Sequence, residues 1–149
     1  MNPIGLDTPA PRFSWTVDSP RRGGKQSAYR VVVTAPDGAA VWDSGKVASA
    51  RSVNVTYAGA PLTSHTNYAW TVTLWDAAGA ESAPAPAASF ETAFLSPAEW
   101  QGTWVRGGGL FRTTFTVSKP VVRSRVYISG LGYYVLHING RRIGDHVPL

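Results

Sequence analysis

Apolar and polar residues alternate along most of this chain, the period-two signature of strands that cover one face and expose the other. Phe13, Trp15 and Val17 fall on one side, with Arg12, Ser14 and Thr16 on the other. Tyr29, Val31, Val33 and Ala35 alternate with Arg30, Val32 and Thr34, and Asp37-Gly38 then supplies a turn. Val41 to Gly45 reads as a short strand ending in a second turn, and Ser52 to Tyr57 alternates again. Tyr68, Trp70, Val72 and Leu74 make the cleanest inward row, and Ser89 to Phe94 closes the series. Short strands punctuated by Gly and Pro predict an all-β sandwich. The longest helix-permissive stretch, Ala77 to Ala88, is broken by Gly79, Pro84 and Pro86.

The alternation stops at Leu95-Ser96-Pro97-Ala98-Glu99-Trp100. Ser96 as N-cap with Glu99 three residues on predicts one capped helical turn. The domain boundary is placed there, giving units at 1–95 and 96–149. In the second unit, 111–117 and 121–129 read as strands joined at Lys119-Pro120, and 133–139 as a third. Asn139-Gly140 is a hairpin signal, because both turn residues tolerate positive φ. The returning strand begins at Arg141 with little room to finish. A sheet needs several strands and a covered face to stand alone. The second unit therefore reads as an incomplete sandwich, the front of a larger β-rich protein, with Leu136 and Ile138 poorly covered.

Leu62, Tyr68, Trp70, Val72 and Leu74, followed by Asp76-Ala77-Ala78-Gly79, resemble the E–F corner and F strand of fibronectin type III domains. Tyr68 would be a tyrosine corner, its hydroxyl bonded to backbone and its ring in the core. Trp15, Trp42 and Trp70 sit in alternating apolar rows and read as core. Trp75 has the opposite parity, which predicts an indole that is exposed or covered by a neighbouring domain.

The chain has no cysteine, which excludes disulfides, thiolate metal sites and cysteine nucleophiles. The net charge of +5 is uneven. Residues up to 98 balance, while from Glu99 onward the basic residues meet only Glu99 and Asp145 as acidic partners. They are dispersed and accompany no nucleic-acid signature. The expected complement is acidic surface elsewhere in a larger polypeptide, with no nucleic-acid partner. Gly107-Gly108-Gly109 lacks the Lys-Ser/Thr of a phosphate loop. No stretch is long and apolar enough to span a membrane, and residues 1–5 are not a signal peptide. Cytoplasmic and secreted locations both stay open. Asn54-Val55-Thr56 matches the glycosylation sequon but falls within a strand.

Asn2-Pro3-Ile4-Gly5-Leu6-Asp7-Thr8-Pro9-Ala10-Pro11-Arg12-Phe13-Ser14-Trp15 resembles the opening of bacterial α-L-rhamnosidases of the inverting glycoside hydrolase type. Further matching segments are Gln26 to Val31, Trp42 to Val47, Ser129 to Tyr134, and Asn139 to Asp145. The resemblance implies an immunoglobulin/fibronectin type III-like sandwich, then the start of a galactose-binding-like jelly roll, here incomplete. It implies a parent that releases terminal α-L-rhamnose from glycosides. The two carboxyl groups of inverting hydrolysis stand about 6.5–9.5 Å apart. In that family they come from a later helical barrel.

The residues agree with a non-catalytic portion. Asp7, Asp18, Asp37, Asp43, Asp76, Glu81, Glu91, Glu99 and Asp145 are scattered and nominate no acid–base pair. His137 and His146 could meet across the last hairpin beside Asp145, but without a third clear ligand they do not predict a metal site. No cofactor is expected. Some relatives carry a calcium-assisted rhamnose site in a related jelly roll, but its ligands cannot be mapped onto this sequence. If this chain contacts a rhamnosylated glycan, Trp104, Tyr133 and His137 are the residues to test. The alternative is a stand-alone carbohydrate-binding or adhesion module of fibronectin type III-like type.

Overall fold

The computed structural model describes residues 2–19 and 22–144. It divides into two compact units, Met1–Trp104 and Val105–Leu149.

The first unit is an antiparallel, immunoglobulin-like sandwich. One sheet pairs β1 (Arg12–Phe13) with β5 (Val55–Thr56). The other runs β3 (Ala40–Asp43), β2 (Gln26–Thr34), β6 (Asn67–Asp76), β7 (Ala88–Glu91), with β4 (Val47–Ala48) also on β2. The long β2–β6 pair sets the register, with Tyr29 opposite Leu74, Val31 opposite Val72 and Val33 opposite Trp70. Because side chains alternate across a sheet, this register carries the two inward rows to one face together. The core is Phe13, Tyr29, Val31, Val33, Val55, Tyr57, Leu62, Tyr68, Val72 and Phe90. Phe13 anchors its aromatic part, 4.9 Å from Trp70 and 5.8 Å from both Trp42 and Phe90 by ring centroid.

Polar groups inside this unit are tied down. The Tyr68 hydroxyl accepts from Thr63 N at 2.8 Å, as a tyrosine corner requires, and the ring stacks on Phe90. Buried Gln26 accepts from Trp15 Nε1 and donates to the carbonyls of Ser49 and Arg51. Thr92 Oγ1 accepts from Thr66 N and donates to Thr63 O. Buried polar groups are costly unless bonded in this way.

Trp15, Trp42 and Trp70 pack partly buried against the core. Trp75 is covered rather than exposed: it is 7% exposed, and Lys46 Nζ lies 4.5 Å over its ring. Trp75 keeps its parity, opposite Ala28 in the same register that sets Tyr29 opposite Leu74, and the β2–β6 register shifts only beyond it, between Gln26 and Ala28. Alternation assigns a side chain to a face, while what covers that face comes from elsewhere in the chain.

At Pro97–Glu99 the predicted capped turn forms as one turn of 3₁₀ helix, with both halves of the capping box made. Phe94 meets His65 and Trp100 edge-on, at 4.6 and 5.3 Å between centroids.

The second unit holds a single hairpin among its described residues. It joins β8 (Leu136–Ile138) and β9 (Arg141–Ile143) through Asn139 and Gly140 at φ 50 and 77. The turn forms as its residues predict. The strands expected at 111–117 and 121–129 do not form. Their apolar residues, among them Phe111, Phe115, Val122 and Ile128, stay exposed. A strand is stabilised by its neighbours across the ladder and by a covered face, and among the described residues no strand pairs with these segments. Ile138 and Leu136 remain partly exposed on the hairpin.

Candidate functional site

The first unit carries a trough of about 550 Å³ between the sheets. Ser14, Trp15 and Thr16 form one wall, and Trp70, Val72 and Leu74 of β6 line it with Val53. Ser82, Ala83, Ala85, Pro86 and Ala88 form the facing rim. That rim is fixed to β6, because Ser82 N donates to Leu74 O and Ala85 N to Val72 O. Trp15 and Trp70 make the trough aromatic, but no charged side chain lines it. Its hydroxyls are partly engaged. Ser14 Oγ accepts from Asn54 N, while Ser82 Oγ accepts from Leu74 N and donates to Ala83 O.

The residues nominated from sequence are not in this trough. Trp104 is 70% exposed at the end of the first unit. Tyr133, 66% exposed, and His137 on β8 belong to the second. The hairpin register sets Arg142 opposite His137. His146 and Asp145 lie outside the described residues. Among the described residues no group of three His, Asp or Glu side chains is placed to hold a metal, and no helix is long and apolar enough to cross a membrane.

The carboxylates that show a perturbed environment are structural. Asp43 accepts from Arg30 Nε at 2.8 Å and from Gly45 N. These bonds, chiefly the one from Arg30, lower its pKa to about 2. Glu99 Oε2 accepts from Ser64 Oγ at 2.6 Å and from the amides of Leu95 and Ser96. The Ser64 bond first, then these amides, hold Glu99 below the usual carboxylate range. Both favour the ionised form by donors that face it, in exposed surroundings. Neither lines the trough.

Sequence reasoning missed the trough because its walls come from segments about 70 residues apart. The local signal was Pro84 and Pro86, which mark an edge that cannot be a central strand.

Two family models match. "Rha78A-like, N-terminal immunoglobulin domain" matches residues 1–96, and "Alpha-L-rhamnosidase N-terminal domain" matches residues 119–148. An α-L-rhamnosidase of Formosa agariphila is 30% identical over 98% of this chain and 19% of its own length. One of Streptomyces avermitilis is 43% identical over 70% of this chain and 11% of its own length. The solved structure of a Streptomyces avermitilis α-L-rhamnosidase complexed with L-rhamnose covers 67% of this chain and 10% of that one, at 42% identity and a TM-score of 0.63. That of α-L-rhamnosidase from Dictyoglomus thermophilum also gives 0.63, at 35% identity over 67% of this chain and 12% of that one. The chain thus spans less than a fifth of the length of these relatives.

Proposed function

The chain belongs to the Rha78A-like family through its N-terminal immunoglobulin domain, and on that premise we propose that it is the non-catalytic N-terminal portion of an α-L-rhamnosidase-like glycoside hydrolase. The parent would release terminal α-L-rhamnose from glycosides. This portion would act as a scaffold, with an accessory sugar contact at Trp104, Tyr133 and His137 as the further option to test. The proposed division remains 1–95 for the sandwich and 96–149 for the start of a jelly roll. The proposed partner is the remainder of the parent polypeptide.

The observation that carries this reading is the pair of rhamnosidase N-terminal matches, at 1–96 and 119–148, met in order along one chain. The chemistry agrees. Inverting hydrolysis needs an acid and a base flanking a water in one cavity, and the trough of the first unit is lined by neither.

The test is turnover of p-nitrophenyl α-L-rhamnoside by the purified 149-residue chain. No turnover above a heat-treated control is expected, and robust turnover that copurifies with the chain would overturn the reading. Calorimetry with L-rhamnose, with and without calcium, separates scaffold from accessory binding. Saturable binding lost in Trp104→Ala, Tyr133→Ala or His137→Ala would assign the contact. Tight binding with no dependence on these residues would favour the stand-alone module.

A further inference from the structure

The trough is bounded by one strand edge that can still pair and one that cannot. Just before β1, Pro11 O accepts from Tyr57 N, and two residues past its end Trp15 N donates to Ser52 O. Alternate residues of a strand turn their amides to opposite sides. Ser14 and Thr16 therefore direct their N–H and C=O groups away from β5, toward the trough, and these backbone groups find no partner among the described residues. The facing rim contains Pro84 and Pro86, which have no amide hydrogen to give.

The segment that precedes β1 points into this gap. Residues 2–6 run beside β7. Asn2 Oδ1 accepts from Ser89 N, Pro3 O from Glu91 N, and Leu6 N donates to Glu91 O. Leu6 pairs with Thr92 in parallel sense. Traced back from Leu6, the backbone reaches Asn2 beside Ser89, next to Ala88 at the trough rim.

We propose that the trough is a strand-docking site, filled by an extended segment of the same polypeptide that leads into Asn2 and pairs antiparallel with the backbone that continues from β1, at Ser14 and Thr16. Alternate apolar side chains of that segment cover Trp15, Trp70 and Val72. Strand addition fits these walls because main-chain groups on one edge supply the affinity while an apolar floor takes every second side chain. A sugar fits them less well. The trough offers no charged or amide side chain, and the Ser14 and Ser82 hydroxyls already bond within the fold. The proposal rests on the functional reading above only in requiring polypeptide beyond these residues.

Hydrogen exchange at Ser14 and Thr16 tests it. In the 149-residue chain both amides should exchange without protection. Joined to an N-terminal hexamer of alternating Val and Thr, the chain should show both slowed by at least about tenfold, with a higher Tm. A hexamer of equal length carrying two prolines should do neither. In the complete natural polypeptide the same two amides should be protected. Equal behaviour of the two hexamers, or unprotected amides in the complete polypeptide, would overturn the proposal even where that polypeptide cleaves rhamnosides. Protection of Ser14 and Thr16 in an inactive polypeptide would leave it standing and count against the glycosidase reading alone. Protection of the 149-residue chain by added L-rhamnose, or protection that grows with its concentration, would also overturn it, by identifying a sugar cleft or a self-paired edge.

Discussion

Residues 29–35 and 111–117 carry the same kind of apolar alternation and meet opposite fates. The first, up to Thr34, lies in β2, paired on both sides and with Val31 and Val33 fully buried. The second forms no strand, and its Phe115 is 79% exposed. Periodicity proposes which face of a strand is to be buried. Whether the strand exists depends on neighbours to complete the ladder and on something to cover the face. The first unit supplies both from its own residues, and the described part of the second unit does not.

Paired truncations test that contrast with the largest expected effect. Phe13→Ala removes the ring that joins Trp42, Trp70 and Phe90 and should cost about 3–5 kcal/mol in denaturant unfolding of the first unit. Phe115→Ala should fall within about 0.5 kcal/mol of the parent. Equal losses at the two sites would break the contrast. A second, smaller effect is expected from Tyr68→Phe, which keeps the ring but deprives Thr63 N of its acceptor. The expected loss is about 1–2 kcal/mol in the same assay.

The difference between the units also explains what the sequence could show. Tyr68, the row Tyr29, Val31, Val33, and the Asn139-Gly140 turn were legible because each rests on short-range rules of parity, corner chemistry or backbone φ. The burial of Trp75 was not, because alternation names the face it lies on and not the Lys46 side chain that sits over its ring. The role of Gln26 was hidden too, since its partners at Trp15, Ser49 and Arg51 come from three separate segments. The trough was hidden for the same reason. The exposure of 111–117 and 121–129 was half legible. Alternation marked their apolar faces, while the absence of cover is a tertiary fact.

Acid should act on the first unit through Asp43 and Glu99. The hydrogen bond from Arg30 lowers the Asp43 pKa from the ordinary 3.8 to about 2. A depressed carboxylate contributes stability that is present above the unfolded pKa and is lost as pH falls through the folded one. The Asp43 contribution should therefore fade between about pH 4 and pH 2. Glu99, also depressed, works in the same direction. The pair with Arg30 is exposed, so the effect should be small and weakened by salt. Urea midpoints from pH 5 to pH 2 should fall less steeply in Asp43→Asn than in the parent. An unchanged slope would remove Asp43 from the account.

The smallest effect on global stability is expected in the hairpin of the second unit, where it tests what holds β8 and β9 together. Gly140 sits at φ 77 and Asn139 at φ 50, a pair of positive values suited to the two-residue turn of a twisted hairpin. A β-branched residue adopts that conformation at Gly140 only with strain. Among the described residues three pairs close the ladder, Leu136 with Ile143, His137 with Arg142, and Ile138 with Arg141. A two-stranded hairpin of this size is marginal in water, so the turn and not the ladder should decide its population. Gly140→Val should erase the cross-strand contacts between Leu136 and Ile143 seen by NMR, while the unfolding midpoint of the first unit stays unchanged. Persistence of those contacts would mean that the hairpin is held by its side chains. The second unit would then be better covered than its exposed apolar residues indicate, and the contrast with the first unit would narrow.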